Sequence, residues 1–286
     1  MGGHPDMAGR ICVITGATRG IGRATAEGLA RLGATVVLIA RRREDGERTS
    51  REIAAKSAVA PAVVTADLSS QSSIREASAQ LRRLYPHLHV LINNAGLITR
   101  RRELTVDGLE MQFAVNHLAY FLLTNLLLDQ LKAGAPSRII NVSSGAHYGA
   151  QLDFDELQGE RGYDGNRAYS QTKLANILFT YELARRLQGT GVTANCLHPG
   201  VIGTRLLADY MGVPIAGRAL ARSFGASPEK GAETTIHLAT SLDMETVSGK
   251  YFEAKRERRS SRESYDEAAA RRLWDMSERL TRLASS

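Results

Sequence analysis

The sequence predicts an α/β fold, a single domain built on a parallel sheet wound with helices on both faces. Three observations lead there. Short apolar, β-branched runs alternate with longer helical patterns along the chain, which is how a doubly wound parallel sheet reads. A glycine-rich turn separates the first apolar run from the first helical pattern. The length of 286 residues suits one large domain rather than two, and no internal repeat or low-complexity linker divides it.

The elements follow in order. Residues 10–15 are short, apolar and β-branched, as a strand buried on both faces requires. Gly16, Gly20 and Gly22 come next, and residues 23–32 have the composition of a helix ended by Gly33. Further strands are expected at 34–40, 62–66, 90–92, 138–142, 192–197 and 250–252, about seven in all. Helical patterns fill the gaps, notably 108–131 and 167–187. Two stretches are less regular. Residues 145–166 are a polar, glycine-containing insertion, and 204–224 is an apolar segment interrupted by Gly212, Pro214 and Gly217.

Composition excludes several classes. The longest apolar stretch, 120–128, is broken by Thr124 and Asn125, so no membrane span is expected. Residues 1–9 hold no hydrophobic signal core, and the expectation is a cytoplasmic protein. Cys12 and Cys196 fall in apparent buried strands and read as small core residues; two cysteines are too few for a metal site. The net charge of +7 (37 basic, 30 acidic) raises nucleic-acid binding. The charge is local, however, at 41–43, 100–102 and 255–259, without the interleaved aromatics of a base-stacking surface. No nucleic-acid partner is expected.

The most informative stretch is Tyr169-Ser170-Gln171-Thr172-Lys173. A phenol and an ammonium four residues apart share one helical face. A lysine cation there favours phenolate and is expected to lower the tyrosine pKa, which suits proton exchange with a carbonyl or alcohol. By itself the pair is a weak signal, since both residues are common on helix surfaces. The second signal is Thr15-Gly16-Ala17-Thr18-Arg19-Gly20-Ile21-Gly22. Strand, glycine turn and helix start together form an anion site, where backbone approaches a pyrophosphate and unpaired N–H groups meet it.

Together these residues resemble the short-chain dehydrogenase/reductase family, and the resemblance spans essentially the whole chain. The family's T-G-x-x-x-G-x-G is matched by Thr15 to Gly22. Its N-N-A-G element is Asn93-Asn94-Ala95-Gly96, its serine follows the fifth strand at Ser143-Ser144, and its asparagine resembles Asn116. The late Pro-Gly element is Pro199-Gly200. The implied fold is a Rossmann-type doubly wound sheet. The implied activity is hydride transfer between nicotinamide and a carbonyl or alcohol carbon. In that reading Tyr169 exchanges the proton and Ser144 holds the reacting oxygen. Lys173 lowers the tyrosine pKa and binds the nicotinamide ribose, and Asn116 holds a water linking lysine to solvent. Ser144 is preferred to Ser143 because the family uses the second serine of such a pair.

The resemblance also assigns the nucleotide contacts: Gly16, Thr18, Arg19, Gly20, Ile21 and Gly22 in the turn, Asp67 and Leu68 after the third strand, Asn93, Ala95 and Gly96, then Pro199, Gly200 and Thr204. An acid at the end of the second strand would select NAD and repel a 2′-phosphate. Here the strand ends in Ala40, followed by Arg41, with Arg19 in the glycine turn, and guanidinium suits phosphate. NADP(H) is the expected cofactor; Arg42 and Arg43 read as the exposed start of a helix.

Within the family, the run from Val115 to Thr124, the segment YSQTKLAN from Tyr169, the 25-residue spacing from Ser144 to Tyr169 and the carboxy-terminal run from Tyr265 to Trp274 resemble the retinol-dehydrogenase-type branch. The branch implies a bulky apolar substrate, a retinoid, steroid or aliphatic aldehyde. Residues 204–224 occupy the position of a substrate-covering lobe. The rival readings are a catalytically silent protein that senses NADP(H) or serves as a scaffold, and an epimerase or dehydratase on the same fold. A homo-oligomer is compatible with all of them.

Overall fold

Residues 6–203, 205–210 and 225–283 are described in the computed structural model. The expected alternation appears as β1 (Ile11–Thr15), α1 (Gly20–Arg31), β2 (Thr35–Ala40), α2 (Arg43–Ala54), β3 (Ala62–Thr65), α3 (Gln71–Leu84) and β4 (Val90–Asn93). Then α4 (Met111–Phe113) passes through a π turn (Ala114–Leu118) into α5 (Ala119–Leu126), followed by α6 (Leu128–Ala133) and β5 (Ser137–Val142). The second half holds α7 (Gly165–Arg186), β6 (Val192–His198), α8 (Arg205–Tyr210), α9 (Pro228–Thr240), β7 (Tyr251–Glu253), β8 (Arg256–Arg258) and α10 (Glu267–Thr281).

The strands form one sheet in the order β3-β2-β1-β4-β5-β6-β7-β8, parallel except for the final β7–β8 pair. β1 pairs with β2 on one side and β4 on the other. Strand order reverses there, and the crevice beyond those strand ends is where such sheets take ligands. Side chains alternate cleanly between two apolar layers. Val13, Val37, Leu91 and Ile139 face α3, α5 and α7, with Trp274 of α10 on that side. Cys12, Ile14, Val36, Leu38, Ile92 and Ile140 face α1 and α9. A strand buried on both faces needs such a continuous apolar run. Both cysteines are buried free thiols, and Cys12 on β1 is separated from Cys196 on β6 by two strands. Among the described residues no helix is long and apolar enough to cross a membrane.

Three features depart from the sequence reading. The single helix expected at 108–131 is three helices. The widened turn at Ala114–Leu118 frees the Asn116 carbonyl, which accepts from Asn176 Nδ2 at 2.9 Å, a side chain entering the helical ladder. Leu127 then leaves helical geometry at φ −110° and ψ 7°. β8 is an eighth strand where the sequence shows only charge. Its three residues are exposed, and the turn before it places Ala254 and Lys255 at φ 47° and 64°, the left-handed pair that two-residue hairpins use.

The third departure concerns Asn93. Its side chain does not reach the cleft but lies fully buried, with Nδ2 donating to Thr124 Oγ1 at 3.0 Å and Asn141 Oδ1 at 2.8 Å. Asn141 in turn donates to Thr180 Oγ1 at 2.9 Å, so a polar ladder joins α5, β4, β5 and α7 through the core. Strand alternation turns Asn93 inward, and buried polar groups must find each other there. Asn93→Ala should therefore cost about 1–3 kcal/mol of stability. Urea unfolding reads this directly, and an unchanged midpoint would mean that the ladder carries no net stabilisation.

Candidate active site

The glycine turn between β1 and α1 is shaped by close approach. Gly16 and Gly20 have φ of 65° and 54°, a region costing an L side chain roughly 1–2 kcal/mol. A Cβ on Gly22 would stand 2.4 Å from both the Gly16 carbonyl oxygen and Asn94 Nδ2. Whereas α3, α7, α9 and α10 begin with a Ser or Asp side chain accepting from the first turn, α1 begins at Arg19 with no side-chain cap. Its first N–H groups and positive dipole end are thus left for an anion beside a turn where Gly16, Gly20 and Gly22 let it approach the backbone. This cradle fits the pyrophosphate of a dinucleotide.

Thr15 holds that cradle to the end of β4. Its hydroxyl accepts from Asn94 N at 2.9 Å and Ala95 N at 3.0 Å, while Asn94 Nδ2 donates to Thr15 O at 2.9 Å. Tyr120 Oη donates to the Ala95 carbonyl at 2.8 Å. Neither role was assigned from sequence, although Asn94 lies inside the quoted N-N-A-G element; a second Asn directly after a strand was the available signal. Asp67 accepts from Ser69 N at 2.9 Å and Ser69 Oγ at 2.7 Å, which fixes the turn after β3. The Leu68 side chain packs on the core.

Arginines at the end of β2 divide in two. Arg42 pairs with Asp45 at 2.6 Å and Arg43 with Glu47 at 2.7 Å, both exposed. Arg19 and Arg41 are exposed, and their guanidinium groups have no ion-pair or hydrogen-bond partner among the described residues. The 100–102 cluster is structural in part. Arg100 Nη2 donates to the Asp209 carbonyl at 3.0 Å and Arg102 Nε to the Gln158 carbonyl at 2.7 Å.

Across the cleft, α7 carries Tyr169 and Lys173, both buried. Lys173 Nζ lies 5.4 Å from the Tyr169 ring centroid and 6.0 Å from that of Tyr120, and it donates to the Val142 carbonyl at 3.1 Å. The two serines after β5 diverge. Ser143 is buried and donates to the Lys173 carbonyl at 2.8 Å. Ser144 is half-buried; its Oγ accepts from Ala146 N at 3.2 Å, and its hydroxyl favours the ionised form of Tyr169. Asn116 lies in the π turn with its amide fully engaged: Oδ1 accepts from Leu97 N at 2.9 Å, and Nδ2 donates to Leu97 O at 2.9 Å and Thr172 Oγ1 at 3.2 Å. That side chain brackets Leu97 and ties the loop to Thr172 of α7. Gly96 stands beside the group; a Cβ there would lie 3.6 Å from both Asn116 Oδ1 and Lys173 Nζ.

The titration expected of this pair is corrected by burial. Desolvation pushes the Tyr169 phenol up to about 12, with the Ser144 hydroxyl pulling against it. It brings the Lys173 ammonium down to about 8. Without ligand, the low dielectric outweighs the neighbour's charge, since both charged forms lose water.

Pro199 and Gly200 (φ 94°) follow β6 at the same end of the sheet. Of the segment 204–224, only residues 205–210 are described; Thr204 and 211–224 lie outside the described residues. The described part places Tyr210 of α8 against Tyr169, ring centroids 5.6 Å apart.

The comparisons agree with this geometry. Residues 10–211 match the family described as short chain dehydrogenase. Retinol dehydrogenase 14 of Mus musculus is 45% identical, over 97% of this chain and 87% of its own length. Retinol dehydrogenase 13 of Homo sapiens is 45% identical over 97% and 86%. A solved structure of an uncharacterised Mycobacterium paratuberculosis protein superposes with a TM-score of 0.80 at 34% identity, covering 98% of this chain and 96% of that one. The NADP active-site complex of Pseudomonas aeruginosa RhlG gives 0.70 at 29%, covering 87% and 97%. The chain belongs to the short-chain dehydrogenase family and is retinol-dehydrogenase-like within it. It is an oxidoreductase of alcohols and carbonyls that works with a nicotinamide cofactor.

If the glycine cradle receives the dinucleotide, Gly22→Ala should weaken nicotinamide nucleotide binding at least about ten-fold. Circular dichroism would confirm that the variant is folded, and fluorescence titration would give its affinity. An unchanged affinity would place the pyrophosphate elsewhere.

Proposed function

We propose that the protein is an NADP(H)-dependent oxidoreductase that interconverts an apolar carbonyl compound and its alcohol, with Tyr169 as proton donor and acceptor. The observation that carries this reading is the meeting of the half-buried Ser144 with the buried Tyr169 and Lys173, opposite the uncapped glycine turn of α1. A bound nicotinamide supplies or accepts the hydride at the substrate carbon. Tyr169, its proton retained by burial, gives that proton to the developing alkoxide in reduction and takes it back in oxidation. Ser144 donates to the same oxygen and fixes its position. Lys173 provides the nearby cation that makes proton loss from Tyr169 less costly as the alkoxide forms. Ser143, bonded to the Lys173 backbone, holds the serine turn against α7.

NADP(H) is favoured over NAD(H) by Ala40 in place of an acid and by the unpaired guanidinium groups of Arg19 and Arg41. An apolar substrate is supported by the retinol dehydrogenase relatives and by the Tyr210 ring beside Tyr169, which makes α8 the described portion of a substrate-covering lobe at 204–224. Asp67, Leu68, Asn93, Ala95, Gly96, Pro199, Gly200 and Thr204 complete the proposed nucleotide contacts, Asn93 through its backbone.

Two experiments test the reading. In NADPH oxidation assays with a panel of aliphatic aldehydes, ketones and retinal, Tyr169→Phe should bind NADPH normally yet lose about a hundred-fold or more of its turnover. Ser144→Ala should be severely impaired and Ser143→Ala less so. Turnover retained in Tyr169→Phe would assign the proton to another acid, and tight NADPH binding without turnover of any substrate would favour a silent sensor. For the cofactor, wild type should bind NADPH at least about ten-fold more tightly than NADH, and Arg41→Asp should abolish or reverse that order. Equal affinities in wild type would refute the preference.

A further inference from the structure

The turn that presents Ser144 is held by a side chain the reaction does not touch. Residues Gly145–His147 form a short 3-10 turn directly after Ser144. The Ser144 carbonyl accepts twice from His147, from its backbone N at 3.2 Å and from its Nδ1 at 2.6 Å. On the other side of the ring, Nε2 accepts from Ser261 N at 3.1 Å. The imidazole is fully buried, between the Tyr148 ring at 4.0 Å and the Tyr251 ring at 5.0 Å.

These partners determine the tautomer. A backbone N–H can only donate, so Nε2 must be the unprotonated nitrogen. Burial pushes the His147 pKa below the ordinary histidine value, so the neutral ring carries one proton, and that proton is on Nδ1, directed at the Ser144 carbonyl. The far anchor is itself fixed. Ser260 Oγ meets Tyr181 Oη of α7 at 2.7 Å and Ser264 Oγ at 2.7 Å, and Tyr148 Oη donates to the Arg259 carbonyl at 3.0 Å. The strap at 259–265 is therefore tied to the helix that carries Tyr169 and, through His147, to the turn that carries Ser144.

We propose that His147 is a positioning residue of the active site, setting Ser144 against Tyr169 by donating from Nδ1 to the Ser144 carbonyl while Nε2 anchors the ring to the Ser261 backbone. The inference rests on the proposed role of Ser144. The bond acts on the backbone of Ser144, so its loss shifts the Ser144 hydroxyl without removing any group that touches substrate or nucleotide. Small displacements of an aligned group cost turnover far more than binding.

The test separates positioning from simple stabilisation. Asparagine reaches the Nδ1 position and keeps the donor to Ser144; glutamine reaches the Nε2 position and keeps only the acceptor for Ser261. His147→Asn should retain most of the wild-type kcat for decanal reduction with NADPH. His147→Gln and His147→Ala should lose roughly ten-fold or more in kcat, with KM and NADPH affinity nearly unchanged. Equal kcat in the Asn and Gln variants, with both destabilised alike, would overturn the proposal and leave His147 a structural residue. Heteronuclear NMR of labelled histidine in the full-length protein reads the tautomer without any substrate. A proton on Nδ1 at neutral pH is expected, and one on Nε2 or on both nitrogens would refute the clamp. Ser144→Ala in the same assay keeps the two readings apart. A fully active Ser144→Ala defeats the assignment of Ser144, whereas an inactive one beside a fully active His147→Gln defeats only the proposal for His147.

Discussion

The site depends on one costly placement: the Lys173 ammonium, 2% exposed, has a single hydrogen-bond acceptor among the described residues, the Val142 carbonyl. An ammonium stripped of water is expensive unless other groups replace its hydration, and here the replacement is partial. Two aromatic faces, Tyr169 and Tyr120, lie near it, and their negative quadrupoles offset part of the loss. The remainder appears as a lowered pKa. The same dryness keeps the Tyr169 proton in place. The pair is thus poised by exclusion of water rather than by mutual attraction.

Rigid surroundings are the condition for keeping that arrangement. Around the crevice, side chains bond the ends of β1, β4 and β5 to the elements beside them. Thr15 joins β1 to the 94–95 loop, Tyr120 ties the same loop to α5, and Asn116 brackets Leu97 from both sides. Ser143 bonds β5 to α7 at Lys173 itself. Deeper, the Asn93–Asn141–Thr180 ladder crosses the core to α7 and ends on the Asn176 carbonyl. Buried networks of this kind favour a single geometry over its neighbours, even though Asn93 Oδ1 finds no partner among the described residues. Asn176 then closes the circuit by donating to the Asn116 carbonyl.

Much of this was legible in the chain. The apolar runs and glycine turns located seven strands, because period and punctuation are local properties. Tyr169, Lys173 and Ser144 were located by motif and order, and the divergence of Ser143 from Ser144 follows from strand alternation. What escaped was what depends on tertiary context. β8 was hidden because an edge strand of Arg-Glu-Arg carries no apolar pattern. The π turn was hidden because its cause, Asn176, lies 60 residues from Asn116. Asn93 was read as a nucleotide contact because its motif borders the cleft, yet its side chain belongs to the core. The direction of the Tyr169 titration was misjudged because charge proximity can be read from spacing, whereas the depth of burial cannot. His147 gave no signal, since a histidine between Ala146 and Tyr148 is indistinguishable from a surface residue until Ser261 is brought beside it.

The claim that burial governs the Tyr169–Lys173 pair is tested most directly by the pH dependence of stability. Lys173 has a folded pKa of about 8 against a reference value of 10.5. Between those values the unfolded chain holds a proton that the folded protein has released, so stability must rise with pH across the window. Urea unfolding of ligand-free wild type and Lys173→Met should be compared from about pH 7 to about pH 9, below both the folded and the unfolded pKa of Tyr169. The account predicts that wild type gains stability relative to the variant as pH rises through about 8. Parallel curves, or a gain for the variant, would show that the ammonium is well solvated in the folded state and would contradict it.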